Sequence, residues 1–133
     1  MYYLTRLNAH IPRAYTYVYA RVAKGMPSLK ESAIEARLVR MVRDRGGLCY
    51  KFVSPGNPGV PDRIVITPGG RTIYVELKTE VGRLANIQKW QLEEMRKRGA
   101  EIRVLRGMDQ VKEFVREVMP NEVHTTQLPA VRH

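Results

Sequence analysis

Two short runs rich in β-branched residues, 62–67 (DRIVIT) and 72–78 (TIYVELK), flank Pro68-Gly69-Gly70. Such runs favour strands, and a proline followed by two glycines lets the chain reverse with a glycine in the left-handed region. The segment therefore reads as an antiparallel hairpin, and the rest of the chain must pack around it. Upstream, Ile34, Leu38, Met41 and Val42 recur on one face of a helix that Ser28 or Ser32 can cap and that runs to about Arg45, with Gly46-Gly47 as its stop. Residues 48–53 read as a strand. Three prolines and two glycines make 54–61 (SPGNPGVP) an irregular loop. Downstream, 85–98 reads as a helix ended by Gly99, 101–106 as a strand, and 108–118 as a helix stopped by Pro120. The order α-β-β-β-α-β-α predicts an α/β domain, a mixed sheet flanked by helices, over 28–119.

The hairpin register brings chemistry with it. A three-residue loop pairs Thr67 with Arg71 and places Asp62 opposite Glu76, with Cβ atoms about 4.5–5.5 Å apart. Lys78 lies two residues beyond Glu76 and so on the same face. A two-residue loop would shift the register by one and separate them. Two carboxylates that close repel unless a cation or a proton lies between them. An oxygen-rich, open site of this kind suits Mg²⁺ or Mn²⁺, which generates a hydroxide-like nucleophile and offsets charge on a phosphoryl group. Lys78 can orient that water or contact the transition state. Glu-x-Lys on a strand is more often a solvated face with a cross-strand ion pair. Here Val75 and Leu77 make one face apolar, while Ile64, Ile66 and Tyr74 share the face of the charged residues. That pattern predicts a sheet covered on both sides, where unpaired charge is costly.

The chain is 133 residues long with 44% hydrophobic residues, enough for one compact core, and no apolar run reaches the roughly 20 residues of a membrane span. A formal charge of +10 points to a polyanionic partner, nucleic acid or an anionic surface. Lys89, Arg96, Lys97, Arg98 and Arg103 can track a phosphate backbone or form a solvated helix face. The single cysteine, Cys49, reads as a small core residue and fits a reducing compartment, and no secretory signal follows Met1, so a cytoplasmic location is expected. His10, His124 and His133 lack metal-ligand spacing, and the glycine-rich loop is no nucleotide-phosphate loop, so no nucleotide cofactor is expected. Residues 1–27 hold five of the seven tyrosines, four basic residues and no acid, with a short strand signal at 15–20. They read as an arm or extension, and 120–133 as a tail that frays. Trp90, Leu92 and Met95 read as core or dimer-interface residues, with core preferred.

The run GGLCYKFVSPGNPGVPDRIV, the Pro-Gly-Gly turn, VELKTEVGRL and Gln88 in the following helix resemble the VRR-NUC domain family, a branch of the PD-(D/E)xK, restriction-endonuclease-like nucleases. The likeness covers roughly 30–118 and implies that fold. It implies Asp62 and Glu76 as metal ligands, joined by the backbone carbonyl of Leu77, and Lys78 as the catalytic lysine. The family also places a glutamate of the first helix at the metal. Glu35, at the edge of the buried face with no base four residues later, is preferred over Glu31, which suits the helix N-terminus. Gln88 resembles the family's helix-borne glutamine near the site, or is a plain exposed helix residue. The resemblance implies a Mg²⁺- or Mn²⁺-dependent DNA endonuclease of a bacterial or phage-infected cell, leaving 5′-phosphate and 3′-hydroxyl ends. Its small stand-alone members look like homodimers that resolve branched, four-way DNA junctions. A non-catalytic nucleic-acid-binding module, or a nuclease of this fold acting on RNA or other DNA structures, remains open.

Overall fold

The computed structural model describes residues 29–120. The arm at 1–27 with its strand signal, the tail beyond Pro120 and the Ser28 cap lie outside the described residues. Within them the order is α1 (Glu31–Asp44), β1 (Leu48–Lys51), β2 (Arg63–Ile66), β3 (Thr72–Lys78), α2 (Asn86–Lys97), β4 (Ile102–Arg106) and α3 (Gly107–Val118). The four strands form one mixed sheet in the order β1-β2-β3-β4, antiparallel except for the parallel pair β3–β4. The parallel pair requires a crossover, and α2 supplies it.

The hairpin has the expected register. The Thr67 amide donates to the Arg71 carbonyl at 2.9 Å, and Gly70, with φ +86°, takes the left-handed position of the three-residue loop. Arg63 pairs with Val75 and Ile64 with Tyr74, so the register extends to Asp62 opposite Glu76. Alternation along β3 buries Ile73, Val75 and Leu77 on one face. On that face α1 contributes Ile34, Leu38 and Val42, and α3 contributes Met108, Val111, Phe114 and Val115, to one continuous apolar core. Cys49 belongs to this core, as its sequence position suggested.

Three expectations change. Ser32 does not cap α1. The helix begins at Glu31, with Lys30 in the cap position and no side-chain hydrogen bond there. Among the described residues the sheet is covered fully on one face only. On the other, α2 reaches β4, while Leu48 and Tyr50 of the edge strand β1 are 46% and 54% exposed. Trp90 is not core but 58% exposed, because it lies 200° around α2 from Gln88, whereas Leu92, only 40° from Gln88, is fully buried. Among the described residues no helix is long and apolar enough to cross a membrane.

Candidate metal centre

Asp62 stands one residue before β2, at the end of the 54–61 loop, and its Oδ2 accepts the Leu77 amide at 2.9 Å. That bond holds the Asp62 carboxylate against β3 beside Glu76. Glu76 sits in the middle of the sheet and is only 1% exposed. Its Oε1 accepts from Gln88 Nε2 at 3.3 Å and lies 3.8 Å from the Lys78 ammonium, whereas its Oε2 is buried with no hydrogen-bond partner among the described residues. A buried, unpaired carboxylate oxygen is costly. Burial, followed by hydrogen bonding to Asp62 and the charge of Asp62, pushes the Glu76 carboxyl up to about 8; Lys78 opposes the rise and Glu31 adds to it.

The third carboxylate comes from α1. One oxygen each of Glu31, Asp62 and Glu76 lies within 4.8 Å of the other two. The structure brings Glu31, one turn before the sequence-based choice Glu35, to the hairpin pair and leaves Glu35 outside this cluster. Glu35 is engaged elsewhere. Its Oε1 accepts from Arg63 Nε at 2.8 Å and from Lys51 Nζ at 3.0 Å. Burial would raise its carboxyl, but the hydrogen bonds and charges of Lys51 and Arg63 outweigh this and hold it below the usual carboxylate range. The absence of a base four residues along the helix was no sign of function, because the partnering bases come from the sheet. Lys51 and Arg63, which the sequence did not single out, face each other across β1 and β2.

Gln88 does reach the site, and its amide is oriented from the other end. Its Oε1 accepts the Ala85 amide at 2.9 Å, which leaves Nε2 to donate to Glu76. The glycine-rich loop explains how α2 is held there. Gly59 has φ +87°, and a Cβ on it would lie 2.8 Å from the Ile87 carbonyl oxygen and 3.1 Å from the Gln88 nitrogen. Only glycine lets the loop come that close to the first turn of α2. Leu77 is tied to the site through its amide, as donor to Asp62. Of the basic residues considered for phosphate tracking, Lys97 and Arg98 pair with Glu94, and Arg103 pairs with Glu117 and Glu101. Lys89 and Arg96 are exposed.

The donor set fits a hard divalent cation. Three carboxylates converge, one of them with an oxygen that no protein donor satisfies, and a cation there would relieve both the repulsion and the orphaned atom.

Comparison with known proteins gives concordant results. The VRR-NUC domain model matches residues 5–109, beginning inside the segment set apart above as an arm. A protein of Acyrthosiphon pisum secondary endosymbiont phage 1, titled "Putative nuclease p44", is 55% identical over 53 residues, 40% of this chain and 57% of that protein. The chain thus spans just over half the length of this curated relative. A solved structure titled "VRR_NUC domain" superimposes with a TM-score of 0.61 at 31% identity, covering 64% of this chain and 92% of its own. A second, titled "VRR_NUC domain protein", superimposes at 0.53 and 19% identity over 77% of this chain and all of its own, a likeness of fold.

Proposed function

This chain belongs to the VRR-NUC domain family, and from that membership and the carboxylate geometry we propose that it is a divalent-metal-dependent DNA endonuclease. The observation that carries the reading is the convergence of Glu31, Asp62 and Glu76 within 4.8 Å, Glu76 being buried with one oxygen that has no hydrogen-bond partner among the described residues. A buried carboxyl with an unsatisfied oxygen and a strongly raised titration is a candidate ligand for a cation. Asp62, Glu76 and Glu31 would hold Mg²⁺ or Mn²⁺, with the Leu77 carbonyl as a further oxygen donor. When bound, such an ion supplies Lewis acidity and a water of lowered pKa.

The protein's own groups prepare for that chemistry. The Leu77 amide fixes Asp62. Gln88 occupies Oε1 of Glu76, so that Oε2 is the oxygen left for a ligand. The Lys78 ammonium, 13% exposed and 3.8 Å from Glu76, is placed to donate to a non-bridging phosphate oxygen as negative charge grows there. Water attacks phosphorus in line, the bond from phosphorus to the 3′ oxygen breaks, and 5′-phosphate and 3′-hydroxyl ends result. The substrate we assign is branched DNA, a four-way junction cut symmetrically by a homodimer, because paired cuts need two sites related by a two-fold axis. The setting we assign is the cytoplasm of a bacterial or phage-infected cell, in keeping with the phage relative.

Labelled four-way junction, flap, duplex and single-stranded DNA, each incubated with Mg²⁺, with Mn²⁺ and with chelator, tests this directly. Expected are paired cuts in the junction that require metal and vanish in Asp62→Ala, with DNA binding retained. Cuts spread over all substrates would keep the nuclease and discard junction selectivity. Tight binding with no cleavage under any condition would make the chain a binding module instead.

A further inference from the structure

Glu31 reaches the other two carboxylates from the first residue of α1, a weak place from which to hold a ligand. The cap position, Lys30, makes no side-chain hydrogen bond, and only the Lys30 carbonyl closes the first turn, accepting from Ala33 at 3.0 Å and Ile34 at 3.2 Å. The apolar face of α1 sets its distance from the sheet and its coarse rotation through Ile34, Leu38 and Val42, but a ligand oxygen must be placed more finely than that. Rotating a helix of about 5–6 Å outer radius by about 20° moves a side-chain head group by about 2 Å. A metal–oxygen bond tolerates about 0.2 Å. Something directional must set the azimuth of α1.

Among the described residues, the ion pairs that join α1 to the sheet all converge on Glu35. The other described ion pair of α1, Arg40 with Asp44, is internal to the helix and exposed. Glu35 lies one turn from Glu31 on nearly the same side of the helix. Its partner Arg63 directly follows Asp62, and its partner Lys51 is Arg63's neighbour across the sheet. The network therefore connects the backbones that carry two of the three converging carboxylates.

We propose that Glu35 is a positioning residue for the metal centre: by accepting from Arg63 and Lys51 it sets the rotation of α1 and so brings the Glu31 carboxylate to Asp62 and Glu76. This rests on the reading of the three carboxylates as a metal site. Glu35 touches neither metal nor substrate in this role, and acts through Glu31.

The test is Mn²⁺ binding to the full chain by titration calorimetry, in wild type, Glu35→Gln, Glu31→Gln and the double variant. Glu35→Gln should weaken Mn²⁺ binding about tenfold, a typical effect of groups behind metal ligands, with the far-ultraviolet circular dichroism unchanged. In the Glu31→Gln background the same substitution should add nothing. Wild-type affinity in Glu35→Gln overturns the proposal. So does an equal loss in both backgrounds, because that is the signature of a charge felt at a distance and not of an effect through Glu31. Should Glu35→Gln not fold, Lys51→Met removes one of the two donors and should weaken binding by about threefold in the wild-type background only; no change overturns the proposal. A wild-type protein that binds no Mn²⁺ at all overturns the metal site itself, an outcome distinct from a metal-binding wild type with an indifferent Glu35.

Discussion

Glu76 divides its two oxygens between two tasks, one held by Gln88 and one left without a partner. That division has a cost in the metal-free protein. With its carboxyl raised from 4.5 to about 8, the folded state binds more protons than the unfolded chain between those values. Stability present at low pH is therefore lost as the pH rises from about 4.5 through about 8. Glu76→Gln should abolish this dependence and, in chelator at pH 8, melt several degrees above wild type in a thermal scan. Lys78→Ala should lower kcat about 100-fold or more while DNA affinity stays within about threefold, as gel-shift and single-turnover assays would show. Asp62, Glu76 and Lys78 were legible in the sequence because a turn of known length fixes a hairpin register arithmetically. Glu31 and Glu35 were not distinguishable that way. The choice depends on the rotation of α1 over the sheet, and on Lys51 and Arg63 meeting across strands joined by a long irregular loop, whose register no local rule supplies.

At the level of elements, the hairpin and the glycine-rich loop carry most of the site. The loop was legible as irregular, but its purpose was not, since Gly59 matters through its contact with a helix nearly thirty residues later. Gly59→Ala would place a methyl against the Ile87 carbonyl and also strain a left-handed backbone. The expected result is a loss of about 1–3 kcal/mol in denaturant melts, with activity falling further than stability because Gln88 moves with the helix. Helix periodicity located α1, α2 and α3 to within a residue or two, yet it misplaced Trp90. A list of apolar residues in α2 does not say which of them shares an azimuth with Gln88, and Leu92 does while Trp90 does not. The covering of both sheet faces was likewise over-read. Ile64, Ile66 and Tyr74 alternate as a buried face would, but among the described residues only the part of the sheet near α2 is roofed.

For the molecule as a whole, a formal charge of +10 acts at long range. Several of the 23 basic residues are already partnered inside the fold, as at Glu35, Glu94 and Glu101, so the contacts available to a polyanion are fewer than the count of basic residues suggests. Binding of the chain to duplex DNA in chelator should weaken steeply with salt, with a log–log slope of about −4 to −5, corresponding to about four to six phosphates. A slope near zero would mean that charge does not drive the association. The carboxylates and the amide that meet at Glu76 span positions 31 to 88; Gln88 and Asp62 lie 12 and 14 residues from Glu76, whereas Glu31 lies 45 away. Closing a loop costs more the longer it is, so α1 is the element that must dock from farthest away. An isolated two-stranded hairpin is marginal in water, so the site depends on that docking as much as on the hairpin itself. A chain cut short of α1 would carry the most recognisable stretch of the sequence and still lack one of the three converging carboxylates.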